Sequence, residues 1–284
     1  MKSLKDFINE SMLYEKHGKN IDNASLISDK DKIIDFLDKH YSLSGNSIKD
    51  SLDYVEIKKE GNKNIVNIKV GQLSLSDSKN LALVPSGGLF TFGEVKEFII
   101  ENCANLKTLK GAPTKADFFV INGCPSLEDL TYAPKQINEF HVENCENLTS
   151  LAGFPNVCNV LILAELPSLK SLEGLPKNIG KDLWIDICDS LTNFVGAPKT
   201  IGRDFRCTWC DNLVSLEGVP QEIGGDFCVA RCSKDFKEYD YVPNSVGGRF
   251  IKDEKVSDKN IDKSKFEVID YAKKFYEFWK KSLY

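Results

Sequence analysis

The sequence predicts an α/β solenoid: a parallel-sheet horseshoe with short non-helical convex segments, a helical N-terminal region and a C-terminal capping helix. Three observations predict it. A marker residue returns through Cys103, Cys124, Cys145, Leu166, Cys188, Cys210 and Cys232, at intervals of 21, 21, 21, 22, 22 and 22. Around each marker the apolar residues keep one order, as in Val95-x-x-Phe98-x-Ile100-x-x-Cys103-x-x-Leu106. Downstream, Gly111, Gly153, Gly174, Gly196 and Gly218, and Pro113, Pro134, Pro155, Pro176, Pro198 and Pro220, fall at matching places. A period in the low twenties is the signature of stacked coils, each burying its apolar face on the next.

Four regions follow from these signals. Residues 1–52 form an N-terminal helical segment, 53–94 a β cap with a first degenerate repeat, 95–232 the regular repeats, and 233–284 a capping coil and helix. Residues 1–15 have Ser3 as a cap and Leu4, Phe7 and Ile8 at helical spacing. A polar, Asn- and Lys-rich connector then leads to a second helix over Ser28–Tyr41. Ser28 and Asp31 approximate a capping box there, and Ile33, Ile34, Leu37 and Tyr41 form one face. Tyr54–Ile57 and Ile65–Val70 read as strands joined by a hairpin turn at Glu60-Gly61-Asn62-Lys63. Val70, Leu73, Leu75, Ser78 and Leu81 fit the repeat weakly, with Ser78 at the marker position.

In the regular coils, the alternating pairs Phe98/Ile100, Leu183/Ile185 and Phe205/Cys207 give each coil a short strand with one face inward. The marker and the leucines three and six residues later (Leu106/Leu109, Leu148/Leu151, Leu213/Leu216) close the core. Glycine permits the turn and proline holds the return leg extended or 3₁₀. Later coils insert one residue near the strand, as in Ile201-Gly-Arg-Asp-Phe205 and Ile223-Gly-Gly-Asp-Phe227. After Cys232, Val246–Ile251 offers one more strand, and Lys252-Asp-Glu-Lys255 puts charge where the core marker should stand. A last helix is expected from about Lys265, with Ser264 and Glu267 as a capping box and Phe266, Ile269, Ala272, Tyr276, Trp279 and Leu283 on one face. That face would close the end of the solenoid or dock a partner.

The L-x-x-L-x-L-x-x-C-x-x-L pattern, carried by seven copies over about half the chain, resembles the cysteine-type leucine-rich repeat. The resemblance implies a concave parallel sheet that binds protein. Ser171 to Leu183 and Ser215 to Phe227 share the wording Ser-Leu-x-Gly-x-Pro-x-x-Ile-Gly-x-Asp-Leu/Phe, which is similar to repeats in uncharacterised proteins of large tailed phages and prophages. The opening Met1-Lys-Ser-Leu-Lys-Asp-Phe-Ile-Asn-Glu10 resembles capsid-targeting N-termini of T-even-type phages, which are cleaved after Leu/Ile-x-Glu. Both Ile8-Asn9-Glu10 and Leu13-Tyr14-Glu15 match that rule.

The chain has 284 residues, a net charge of -5 and 28% charged residues, so no basic face marks it for nucleic acid. It has no apolar run long enough to span a membrane and no secretory signal. Nine cysteines, an odd number recurring mostly at one position, read as reduced core thiols rather than a disulfide framework. The cysteine pattern reads as a cytosol-like compartment, and the resemblance to phage proteins implies the host cytoplasm or a virion.

Cys207-Thr-Trp-Cys210 invites zinc, but no second CxxC completes a tetrahedral set, and both cysteines fall at core positions. No metal and no cofactor is expected. Cys228 falls at an outward position and is expected to be the most reactive thiol. His141, with Glu139, Glu143 and Glu165 near it, has no partnered nucleophile, and Gly180, Gly202 and Gly224-Gly225 form no phosphate loop, so catalysis is not expected. The outward stripe remains. One column reads Ile99, Val120, His141, Ile162, Trp184, Arg206 and Cys228, and beside it lie Ile187, Trp209 and Arg231. Ile99, Val120, His141, Ile162, Trp184, Arg206, Trp209 and Arg231 are the expected contacts for a protein partner. The alternatives are that a terminal segment of the same chain covers the stripe, that the protein is a virion or internal-head component, or that it is a bacterial effector or an enzyme-associated recognition module.

Overall fold

The computed structural model of the protein describes residues 23–78, 80–233, 235, 240–253 and 267–270. It is a parallel-sheet β-solenoid of about eight turns. The chain is mostly strand rather than α/β. The helix α1 spans Asn23–His40 and is followed by a 3₁₀ segment, Lys49–Tyr54. Because α1 begins at Asn23, Ser28 lies inside it and is not its cap. The helix expected over 1–15 lies outside the described residues. Ile33 and Leu37 of α1 and Tyr41 just after it are buried and join the main core, and Ile34 of the expected face is half-buried. The Tyr41 hydroxyl donates to the Pro85 carbonyl at 2.6 Å, and its ring stands edge-on to Phe92 at 5.4 Å.

The main sheet begins with β1 (Ser42–Leu43), β2 (Val55–Glu60) and β3 (Lys63–Ser76). Both β1 and β2 pair antiparallel with β3, β2 through a turn at Gly61 and Asn62, and so cover the first coil's edge. Parallel strands then follow coil by coil: β4 (Thr91–Glu101), β5 (Lys115–Asn122), β6 (Gln136–Glu143) and β7 (Val160–Ala164). A two-residue strand precedes the main strand in each later coil. These pairs are β8 (Asn178–Ile179) with β9 (Asp182–Asp186), β10 (Thr200–Ile201) with β11 (Phe205–Thr208), β12 (Glu222–Ile223) with β13 (Phe227–Ala230), and β14 (Ser245–Val246) with β15 (Arg249–Lys252). Strands β8, β10, β12 and β14 make a second, four-stranded parallel sheet.

The register stacks like on like. Leu73, Phe98, Phe119, Phe140, Leu161, Leu183, Phe205, Phe227 and Phe250 are successive partners, all fully buried. Phe119 and Phe140 lie parallel with ring centroids 5.1 Å apart, and Phe205 and Phe227 stack at 5.6 Å. Burying one such side chain contributes about 1.5–3 kcal/mol, so the ladder is the main source of cohesion. In the first coil Ile68, not Val70, pairs with Val95. A register shift between Ile68 and Gln72 leaves Val70 55% exposed.

Each return leg contains two turns. The marker carbonyl accepts the N–H three residues on (Leu148 to Cys145, 3.1 Å), and a second turn closes from Phe154 to Leu151 at 3.1 Å. The step from 21 to 22 residues has a visible cause. At Gly202 a Cβ would sit 2.0 Å from the Gly180 carbonyl oxygen, and at Gly224 it would sit 2.2 Å from that of Gly202. The inserted Gly-x-Asp corner is thus a backbone stack with no room for side chains. The aspartates join it: Asp182 accepts the Asp204 N–H at 3.1 Å, Asp204 that of Asp226 at 2.8 Å, and Asp226 that of Arg249 at 2.9 Å.

The C-terminal helix expected from Lys265 is corrected at its start. Glu267–Asp270 is strand β16, parallel to β15 with Phe250 opposite Val268. The open edge of β15 offers unpaired backbone groups, and the β-branched Val268-Ile269 pair suits a strand, so sheet pairing overrides the helical spacing. Residues 271–284, with Tyr276 and Trp279, lie outside the described residues.

Tyr132 stands where other coils have the turn glycine, with φ 73° and its ring 54% exposed. Tyr132→Gly is therefore expected to raise unfolding free energy by about 1 kcal/mol. Gly196 has φ 91°, and a Cβ there would lie 2.2 Å from the Glu173 nitrogen, so Gly196→Ala is expected to lower stability by about 3 kcal/mol or more. Chemical denaturation of both variants checks the pair; a neutral Gly196→Ala would contradict the turn geometry.

Candidate partner-binding face

Each long strand of the main sheet from β3 to β13 ends in the same corner. The residue after the strand turns into the left-handed region, and the marker follows it. The corner residues are Asp77, Asn102, Gly123, Asn144, Glu165, Ile187, Trp209 and Arg231, with φ between 51° and 67°. Their conformation serves a backbone bond to the next coil. The Asn102 N–H donates to the Asn122 carbonyl at 2.9 Å, Glu165 to Asp186 at 3.0 Å, Ile187 to Thr208 at 3.1 Å and Trp209 to Ala230 at 3.3 Å. The Arg231 N–H turns instead to the Asp253 carboxylate at 2.5 Å.

The marker cysteines complete the corner from inside. Each thiol donates back to a carbonyl two residues earlier: Cys145 to Glu143 at 3.3 Å, Cys188 to Asp186 at 3.6 Å and Cys210 to Thr208 at 3.5 Å. A small apolar group with a weak donor fits this place. Leu166 fills it in one coil without the hydrogen bond. Asp77 occupies the corner before Ser78 in the first coil.

The sequence-predicted residues divide on this frame. Val120, His141, Ile162, Trp184 and Arg206 lie partly exposed in one outward column, in register from β5 to β11. Trp209 and Arg231 lie beside it at the corners. Two expectations are corrected. Ile99 is only 4% exposed, and Cys228 is 7% exposed, packed with Ala230 and Ile251 in a small apolar cluster on the outward side of the sheet. Their register is outward as expected, but burial removes both from the accessible face, and Cys228 is not the accessible thiol. Cys232 is the more exposed of the nine cysteines.

What remains is a gradient along the solenoid. His141 sits between two carboxylates, with Nε2 2.8 Å from Glu139 and Nδ1 3.7 Å from Glu143, and its ring is edge-on to Phe118 at 5.1 Å. Further along, aromatic and cationic groups take over. The Arg206 guanidinium lies 5.9 Å from the Trp184 ring, and Arg231 lies 5.6 Å from Trp209. Arg206 is positioned by the Thr208 hydroxyl at 3.2 Å and by Asp186 at 3.5 Å, and Thr208 donates to Asp186. Burial raises the Asp186 carboxyl above its ordinary range, with the Thr208 hydrogen bond and Arg206 opposing that rise. Trp184 with Arg206 and Trp209 with Arg231 thus form two cation–aromatic pairs across three successive coils, with Ile187 at the corner that precedes Trp209 by one coil. Ile187 was legible beside the predicted contacts; its corner conformation was signalled by Asn102, Gly123 and Asn144, residue types that tolerate positive φ.

Among the described residues, no group of three or more His, Cys, Asp or Glu side chains is placed to hold a metal ion. No described helix is long and apolar enough to cross a membrane. No family model, no curated protein and no solved structure matches the chain. The architecture therefore rests on the coils themselves.

Burial pushes the Cys145 thiol up to about 11 and the Cys158 thiol up to about 12. An unfolded cysteine titrates near 8.5. The folded state then holds these protons more tightly, so the thiols' contribution is complete below about pH 8.5 and is lost as pH rises towards 11–12. Thermal stability is expected to fall steadily across that window, and Cys145→Ala should flatten the slope while lowering stability at pH 7 by about 1 kcal/mol. An unchanged slope would show that the thiol does not titrate with unfolding.

Proposed function

We propose that this chain is a non-enzymatic repeat scaffold that binds a protein partner through the outward face of its main sheet, centred on Trp184, Ile187, Arg206, Trp209 and Arg231. The observation that carries the reading is conformational. The corner residue must adopt positive φ, which Gly and Asn do at little cost, as at Asn102, Gly123 and Asn144. In the later coils the same corner holds Ile187, Trp209 and Arg231, at φ 56°, 60° and 58°. Such residues in the left-handed region cost about 1–3 kcal/mol each, and their side chains repay little of this by packing, since Ile187 is 43% and Trp209 49% exposed. Large side chains held outward at an energetic cost are what a binding surface requires. Tryptophan and arginine are the residue types that dominate protein interfaces.

The finer identity is part of the same proposal. The marker pattern supports reading the coils as cysteine-type leucine-rich repeats. The wording at Ser171 to Leu183 and Ser215 to Phe227 supports a place among repeat proteins of tailed phages, with a partner in the host cytoplasm or the virion. A new N-terminus after Glu10 or Glu15 in purified particles would support the virion version; absence of the chain from particles would remove it.

Trp209→Gly and Trp184→Ala test the binding face. Trp209→Gly removes the ring and relieves the corner, so stability is expected to stay level or rise by about 1 kcal/mol. Affinity for the partner, found by crosslinking and pull-down with the wild-type chain, is expected to fall by about thirtyfold, the effect of a hot-spot residue. Undiminished binding by both variants would overturn this location.

A further inference from the structure

We infer that Cys207 and Cys210 form a redox-active dithiol, reached through Cys232, which is oxidised to a disulfide by a low-molecular-weight disulfide. The site is independent of the partner-binding reading. Its first support is a departure from the coil pattern. The inward position held by Cys207 is Leu75, Ile100, Ile121, Val142, Leu163, Ile185 and Val229 from β3 to β13, all larger aliphatic residues, and Lys252 in β15. Only this coil pairs a cysteine there with a cysteine marker.

The second support is geometric. The Cys207 and Cys210 sulfurs are 3.5 Å apart, and a disulfide needs about 2.05 Å, so closure requires a relative shift of about 1.5 Å. The marker of the following coil adjoins the pair: the Cys232 thiol donates to the Cys207 carbonyl at 3.8 Å, and the Cys207 thiol donates to the Cys210 sulfur. Cys207 and Cys210 are fully buried, whereas Cys232, whose thiol reaches the Cys207 carbonyl, is partly exposed.

The chemistry is stepwise exchange. Cys232, once its proton has passed to solvent, attacks one sulfur of the small disulfide, breaking its S–S bond and releasing one small thiolate. Cys210 attacks the Cys232 sulfur of that mixed disulfide and expels the second small thiolate. Cys207 then attacks Cys210, forming the Cys207–Cys210 bond and returning Cys232 as a thiolate. Two protein thiols lose their protons and two electrons, and two small thiols carry them away.

Oxidised glutathione at pH 7.5 is the probe, added to the native chain before acid quench, denaturation, alkylation and tryptic mapping. Trypsin leaves Cys207, Cys210 and Cys228 in peptide 207–231, Cys232 in 232–234 and Cys188 in 182–199. The expected product is peptide 207–231 lighter by two hydrogens, with fragmentation placing the bond between Cys207 and Cys210. Cys232→Ser is expected to slow its formation about tenfold or more, because the buried pair is then reached only by local opening. Cys228→Ser, whose thiol belongs to the outward cluster, should leave the rate unchanged. Free thiols at Cys207 and Cys210, glutathione retained on Cys232, or an undiminished rate in a folded Cys232→Ser would each overturn the assignment.

Discussion

The structure depends on one backbone constraint. At the end of each strand the chain must enter the left-handed region so that a corner N–H can reach the strand-end carbonyl of the next coil. Trp209 to Ala230 at 3.3 Å and Ile187 to Thr208 at 3.1 Å are examples. This bond keeps adjacent coils in register. With the register fixed, phenylalanine falls on phenylalanine and aliphatic on aliphatic, and the core is built by repetition. A slip of one residue would turn every inward side chain outward. The corner also explains its neighbours: the marker thiol satisfies a strand-end carbonyl from inside, and the marker's own carbonyl starts the turn that leads the chain away.

The same constraint separates structural residues from those free to vary. The Gly180–Gly202–Gly224 stack has no space for side chains, and the Asp182–Asp204–Asp226 ladder is occupied by backbone N–H groups. Asp182, only 2% exposed, also pairs with Arg203, its Oδ1 2.7 Å from Nε. These motif-like residues hold coils together. At the corners, Ile187 and Trp209 instead leave 43% and 49% of their surface exposed, which is why their identity carries the functional reading.

Much of this was legible in the sequence. The period, the inward Phe98-to-Phe227 column, the core role of the marker cysteines and the outward placement of Trp184, Arg206, Trp209 and Arg231 all follow from spacing, because a solenoid repeats one local geometry. What spacing could not reveal was coverage. Ile99 and Cys228 occupy outward register, yet they are buried, since burial depends on what else packs there. The Glu267–Asp270 strand was missed for a related reason: the open edge of β15 supplies hydrogen bonds that outweigh a local helical pattern. Lys252, the first residue of the charged run, occupies the register opposite Val229 and is only 6% exposed, while the marker position at Lys255 lies outside the described residues. The corner conformation was within reach, written in Asn102, Gly123 and Asn144, but it required reading three coils together.

Residue-resolved amide hydrogen exchange tests the central claim most directly. Ile187 and Trp209 have exposed side chains but amides bonded to the next coil. Both amides are therefore predicted to exchange slowly, opening together with the core strands β9, β11 and β13 rather than as surface loops. Rapid exchange at Ile187 and Trp209 while those strands stay protected would contradict the corner bond and the register built on it.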